Sequence, residues 1–535
     1  MRAFVDRSRL LALAPPWYRT PRAQTAALGV VFFWVFAAYT TMQFYSASTY
    51  GPDLAADAVS AVYLSFTLTC LASPGVVNKW GCRRSMFWGV LGYGAFVLSS
   101  LIYFLYGGGD GGGGGGGGKT WARRLVVAGG AILGCGASAL WTAQGRLVLQ
   151  YASTSVASDA TTTSTTNGGK SENKSRTGEL MGLFWAIFQC SSIVGGSISF
   201  LYYGRDKPRG SMALYIIFLG FIVVGALSTQ LLLPPEMLRP EPPENGTDPR
   251  DDEVADIEMT TDERSPLTSD SDPNEQNNIR DTGFRMGEDL SRQTWAQEAL
   301  GTLRLFFTDK MMCLAPLFFY TGFNQPYQQA TFGNRFFTRR TIGVELIVFH
   351  LMEIVGAIVV GRFLDRERDV ASTRRTRAIM CLGSFVVINC TGNVFAAAQE
   401  YAAKRNGGAP IAHDIATLSV VYPSLAFACW GFADAQIQVF CYWLMGGFYT
   451  LGSDHSRAVS FFKCVQSLGS KCGFSSFNKS YYWLALIRDM RHLFVKASIG
   501  FYFIPISRLS EISQLACSSL IFVLGTALSF SQLPP

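Results

Sequence analysis

The sequence predicts an all-α membrane protein of about twelve transmembrane helices in two pseudo-symmetric six-helix halves. Three observations carry this. Only 16% of the 535 residues are charged and 49% are apolar, whereas soluble domains carry roughly a quarter charged residues. The deficit sits in long charge-free runs, namely Leu28 to Ser48, Ala58 to Asn78, Met86 to Gly109, Met212 to Pro235 and Ile512 to Pro535. Each reaches the roughly 20 residues that cross a bilayer as a helix. In hydrocarbon only helices and closed barrels satisfy the backbone, and these runs lack the alternation of barrel strands. Finally, the apolar segments fall into two groups separated by one long acidic stretch.

Helices are expected at 25–46, 59–77, 86–106, 125–146, 180–203 and 212–233, then at 312–329, 342–362, 377–399, 415–447, 457–475 and 511–531. The N-terminal half is 25–233, after a tail at 1–24, and the C-terminal half is 312–535. Between them, 234–311 is a linker. Pro234 to Leu300 holds eighteen acidic and six basic residues, so the net charge of +7 hides a strongly cationic membrane body. Arginines facing anionic lipid account for that body, and no nucleic-acid partner is expected. The linker's Pro/Asp/Asn-rich composition predicts disorder. The polyglycine run 107–118 and the Ser/Thr-rich stretch 153–175 are expected to be loops.

Lys/Arg bias near helix ends sets orientation. Arg2, Arg7, Arg9, Arg19 and Arg22 crowd the N-terminal tail, Lys79, Arg83 and Arg84 the link after the second helix, and Arg362, Arg366, Arg368, Arg374, Arg375 and Arg377 the link after the eighth. The first link, Ala47 to Asp57, has none. Both termini are therefore expected in the cytoplasm. The short apolar stretch Leu10 to Pro16 is no signal-peptide core, so no cleaved signal is expected. The twelve cysteines are scattered (Cys70, Cys135, Cys190, Cys381 and Cys429 among them), with no CxxC and only four histidines. They read as small apolar fillers, so neither a metal nor another cofactor is expected.

Gly113 to Thr120, GGGGGGKT, formally satisfies a phosphate-binding loop. Such a loop needs a buried strand before it and a soluble helix after it. Transmembrane flanks exclude that reading. No catalytic motif such as GxSxG or HExxH occurs, so the chain is not expected to be an enzyme.

Two inner links occupy the same place in their halves. One reads Pro74 to Arg84, with Lys79, Gly81, Arg83 and Arg84; the other reads Gly361-Arg362-Phe-Leu-Asp365-Arg366. Small residues permit close helix approach, and the charges can pair across neighbouring helix ends. Either link alone is equally well read as plain positive-inside charge. In register, they mark cytoplasmic gating motifs of a two-halved transporter. Ionisable residues inside predicted helices are few: Glu353, Asp434 and Lys463. A charge at membrane depth costs at least a few kcal/mol, so it faces a cavity or a partner. Asp434 and Lys463 are candidates for a structural salt bridge or for a substrate or proton path. Gln43, Trp141, Gln144, Trp185 and Gln325 are candidates for a cavity lining or for interhelical hydrogen bonds.

Several of these residues carry a family resemblance. Leu28 to Gln43, Gly134-Cys-Gly136-Ala-Ser-Ala-Leu-Trp141-Thr-Ala-Gln144-Gly145 and Gly182-Leu-Phe-Trp185-Ala-Ile-Phe-Gln189 resemble segments of the uncoordinated-93-like family of the major facilitator superfamily. So do Tyr320-Thr-Gly322-Phe-Asn-Gln325, Trp430-Gly431-Phe-Ala-Asp434 and Val465-Gln466-Ser467. The resemblance implies a twelve-helix facilitator fold. It leaves two functions open: solute or ion transport by alternating access, or a non-transporting regulatory or chaperone subunit of another membrane protein, such as a potassium channel or a receptor. A transporter should hold Glu353, Asp434 and Lys463 apart on a wet cavity, and a scaffold should bury them as a satisfied cluster. One segment departs from the family pattern: residues 470–499 intervene where a short Pro-containing link is expected. This stretch is read as an unspliced insertion. Trypsin digestion of the native protein should then yield no peptide from within Asn478 to Arg488, and recovery of one by mass spectrometry would overturn that reading.

Overall fold

The computed structural model describes residues 15–106, 117–163, 176–203, 212–238, 294–366, 373–407, 410–475 and 511–534. The acidic stretch 239–293, most of the polyglycine run, the stretch 476–510 and Asn173, Asn245 and Asn478, each the first residue of an N-x-S/T triplet, lie outside them. The first half comprises α1 (Pro21–Tyr50), α2 (Pro52–Thr69) with α3 (Ser73–Trp80), α4 (Cys82–Tyr106), α5 (Gly117–Thr163), α6 (Thr177–Tyr203) and α7 (Met212–Ser228). Then come α8 (Trp295–Phe306), α9 (Asp309–Gln325), the short α10 (Gly333–Phe336), α11 (Arg339–Asp365), α12 (Arg374–Arg405), α13 (Val421–Phe448), α14 (Gly452–Ser475) and α15 (Glu511–Phe530). Every helix expected from the sequence has a counterpart, but α5 continues to Thr163, into the stretch 153–175 expected to be a loop. The end of the bundle where α1 begins is called the tail side here, and the opposite end the far side.

Among the described residues, nine helices are long and apolar enough to cross a membrane, or ten if the bent α2–α3 pair is one span. The 65° bend in that pair has a local cause. Pro74 sits in the first turn of α3 and has no N–H to donate backwards. The carbonyl of Cys70 accepts instead from Ser460 Oγ of α14, at 2.5 Å. α9 and α14 fall short of the span criterion for different reasons. α9 has 17 residues but runs on through a π-helical stretch, Pro326–Phe332, into α10. α14 carries a polar stripe, Ser456, Ser460, Lys463, Ser467 and Lys471, at three- and four-residue spacing, all of it buried. Those intervals put the stripe on one helix face. In a lipid-facing helix it would have no partners; here it lies against α2, α3 and α5 of the first half.

The second contact between the halves is α6 against α11. It is built on small residues. A Cβ on Gly361 would lie 2.4 Å from the Gly178 carbonyl oxygen, and one on Gly182 would lie 2.5 Å from that of Ala357. Without hydrophobic drive between helices in lipid, such backbone-close packing is a main source of association. Gly361→Leu should therefore lower the thermal unfolding midpoint of the purified protein, by the equivalent of about 1–3 kcal/mol. Gly383→Leu, in open space, should leave the midpoint unchanged in the same assay.

Candidate functional site

The sequence places Glu353 on α11 and Asp434 on α13, and glycines bring the two helices together. A Cβ on Gly431, one turn before Asp434, would lie 2.2 Å from the Phe349 carbonyl oxygen. One on Gly356, a turn after Glu353, would lie 2.5 Å from that of Phe432. At this spacing the two carboxyls interact directly. Both residues are buried, at 1% and 7% exposed. Glu353 also meets the ring of His350, Nδ1 to Oε2 at 2.5 Å. Among the described residues, Asp434 Oδ2 is buried with no hydrogen-bond partner.

Lys463 of α14 is 3% exposed and enters the seam between the halves. Its Nζ lies 4.2 Å from the centroid of the Trp141 ring on α5, 4.7 Å from Phe462 and 5.8 Å from Tyr442. It donates to Gln466 Oε1 at 2.8 Å. The Lys463 charge still reaches Asp434 through space. The salt bridge considered for this pair is thus replaced by two contacts: a carboxyl–carboxyl pair within the second half, and a cation–π contact across the seam. Desolvated, a contact of the latter kind is worth about 2 kcal/mol.

The wall opposite Lys463 is aromatic. Trp141 packs on Phe32, Phe36 and Phe188, and its ring centroid lies 6.1 Å from that of Trp185. Trp185 Nε1 is buried without a partner among the described residues. Gln144 joins the same wall, accepting from the Tyr442 hydroxyl at 3.4 Å. The structure thus gathers Trp141, Trp185, Gln144, Lys463, Asp434 and Glu353 around one seam. Gln43 engages the Tyr63 hydroxyl, which also meets Ser470. Gln325 is the last residue of α9.

The two tail-side links behave as interlocks. Asp365, at the end of α11, accepts from the Glu179 backbone N–H at the start of α6 at 2.8 Å, and from Trp443 Nε1 at 3.0 Å. Gly361 makes the close approach already described. In the other link, Gly81 turns the chain with φ of +81°, a conformation that favours glycine. Arg83 donates to the Gln230 carbonyl at 2.6 Å. Lys79 lies over the Trp295 ring at 4.7 Å. Arg84 has a partner of its own, as does Arg366, while Arg362 is exposed.

Sequence reasoning missed His350, Asn78, Glu298 and Arg457. His350 and Glu353 stand three apart on one helix, a spacing that brings side chains together. Glu298 was absorbed into an acidic stretch. Yet Thr294-x-x-Gln297 just before it is a capping box, and the structure forms it from both sides.

Comparison with solved structures gives the class. The proton:xylose symporter XylE bound to 6-bromo-6-deoxy-D-glucose superposes with a TM-score of 0.56 at 10% identity, covering 96% of this chain and 95% of that one. The fucose:proton symporter FucP of E. coli gives 0.51 at 12% identity, covering 97% and 100%. At such identities the likeness is one of fold. The molecule is a multi-pass membrane protein of the major facilitator fold.

Within that class the sequence matches the family described as ion channel regulatory protein UNC-93 over residues 121–496. The chain belongs to the UNC-93 family. UNC93-like protein 1 of Arabidopsis thaliana is 23% identical over 458 residues, 85% of this chain and 83% of that protein. UNC93-like protein MFSD11 of Xenopus laevis is 24% identical over 505 residues, 89% of this chain and 94% of that protein.

Proposed function

We propose that the protein moves a solute or ion by alternating access, with Glu353 and Asp434 as the coupling site and Lys463 as the charge that couples that site to the seam. The carrying observation is the buried Asp434 Oδ2 without a hydrogen-bond partner among the described residues, beside a second buried carboxyl. A cluster retained only for stability would be expected to satisfy its polar atoms. A buried carboxyl pair at membrane depth with one oxygen left over instead suits a site that takes up and releases a cation. Likeness of fold to two proton symporters is compatible with this reading but does not carry it. In this reading the tail side is cytoplasmic, following the Lys/Arg bias of the links, and the tail-side interlocks are the gate.

The second reading is a regulatory subunit of another membrane protein. It draws on the family's own description as ion channel regulatory protein. In that case the same buried groups hold the second half in one conformation and no flux occurs.

The two separate in proteoliposomes. With an imposed proton or potassium gradient, the purified wild type should show gradient-dependent flux, and Asp434→Asn should lose it. The variant should unfold at the same temperature or higher, because it removes one of two crowded buried carboxyls. Absence of flux in the wild type under every gradient would sink the transport reading and favour the subunit.

A further inference from the structure

The two tail-side links sit in equivalent places, but their chemistry differs. In the second half, Asp365 ends α11 and its carboxylate holds the first turn of α6 in the other half. In the first half, the corresponding residue at the end of α3 is Asn78. Its Oδ1 accepts from Ser456 in the first turn of α14 at 2.7 Å, and from Arg146 Nη1 at 2.7 Å. The pseudo-twofold repeat is kept in position but not in charge. Asn78 stands where its counterpart is an acid, and two arginines, Arg146 and Arg457, converge there from opposite halves.

The missing carboxylate arrives from outside the repeat. Glu298 of α8 is 1% exposed. It accepts from Asn78 Nδ2 at 3.3 Å and from Arg457 Nη2 at 3.0 Å. α8 is seated at three further points. Trp295 lies against Gly75, where a Cβ would be 3.2 Å away. Gly301 leaves room for the Arg457 guanidinium, which a Cβ there would approach to 2.9 Å. Phe306 packs at a tilt on Phe461 with centroids 4.8 Å apart. One amphipathic helix between the halves thus touches α3 of the first and α14 of the second.

We propose that α8 is a removable latch: Glu298 supplies in trans the acid that the first-half link lacks, so tail-side closure on this flank depends on α8 being docked. On the other flank Asp365 closes the seam without help. The chain between the halves enters the second half through α8, so a partner or modification that draws α8 away opens one flank only. This holds whether the protein transports or regulates.

The test uses hydrogen exchange read by mass spectrometry on the full-length protein in lipid nanodiscs. Glu298→Gln should speed exchange both in α8 and at Asp454 to Val459 of α14, by roughly tenfold or more, since Arg457 keeps Asp454 but loses the buried carboxylate that ties it to α8. Adding Asn78→Asp to that variant restores the acid in cis. It should return Asp454 to Val459 to wild-type protection while α8 remains fast. Asn78→Asp alone sets two carboxylates against each other and should release α8 with the start of α14 still protected. The proposal is overturned if Glu298→Gln leaves α14 protected, if the double variant does not restore it, or if Asn78→Asp alone leaves α8 as slow as in the wild type. Should Glu298→Gln fail to fold, the Asn78→Asp result decides.

Discussion

The interior is organised around α14, a helix that cannot face lipid. Its stripe of Ser456, Ser460, Lys463 and Ser467 offers hydroxyls and an ammonium at membrane depth, where hydrocarbon gives nothing in return. Each finds a partner in the other half. Ser456 meets Asn78, Ser460 the Cys70 carbonyl, Lys463 the Trp141 ring and Ser467 the Thr67 hydroxyl. The arrangement is reciprocal. The bend between α2 and α3 frees a carbonyl that would be an orphan in lipid, and α14 supplies the donor. Neither element is well satisfied alone, so the halves must meet here. The second seam, α6 on α11, is closed along its length by glycines and at its tail-side end by the Asp365 carboxylate.

This division leaves the two halves chemically unlike. The first contributes an aromatic wall, with Phe32, Phe36, Trp141, Phe184, Trp185 and Phe188 packed edge to face. The second contributes the titratable groups: His350, Glu353, Asp434 and Lys463. A cation from one half resting on a ring of the other is a contact that survives small rotations, because the ring face is broad and its attraction falls off gently. A bidentate ion pair at the same place would fix one angle. The seam is therefore held by contacts that tolerate rocking, while the carboxyl pair rides with the second half.

Much of the fold was legible because lipid imposes a simple rule on sequence. Charge-free runs located most helices, and α14 was read as a helix despite its polarity. What could not be read was side-chain direction across a seam. Asp434 and Lys463 look like a pair along the sequence. The close approach that turns Asp434 towards Glu353 instead depends on Gly431 and Gly356, whose meaning appears only once α11 and α13 are set side by side. Gln43 looks like a cavity polar group, and its partner, the Tyr63 hydroxyl beside Ser470 of α14, is not visible from its own helix. α8 was lost for a different reason. Acidic composition dominated its neighbourhood, and a twelve-residue helix beginning at a capping box carries little weight against it.

The ends of the seam are closed by different physics. On the far side α6 meets α11 through backbone alone: a Cβ on Gly196 would lie 3.0 Å from the Gly343 carbonyl oxygen. Separating such surfaces sacrifices dispersion and little else. On the tail side a buried carboxylate meets a half-buried guanidinium, and parting them leaves a charge stranded unless water enters. Exposed ion pairs contribute about 0–1 kcal/mol, but breaking a buried one costs about 3–5 kcal/mol. Glu298, at 1% exposed, belongs to the second kind, and its partner Arg457 is also tied to Asp454 at 2.9 Å. The energetic asymmetry of the bundle thus resides in a residue that belongs to neither six-helix half. Relative motion of the halves at the tail side is conditional, and the condition is set by the helix that joins them.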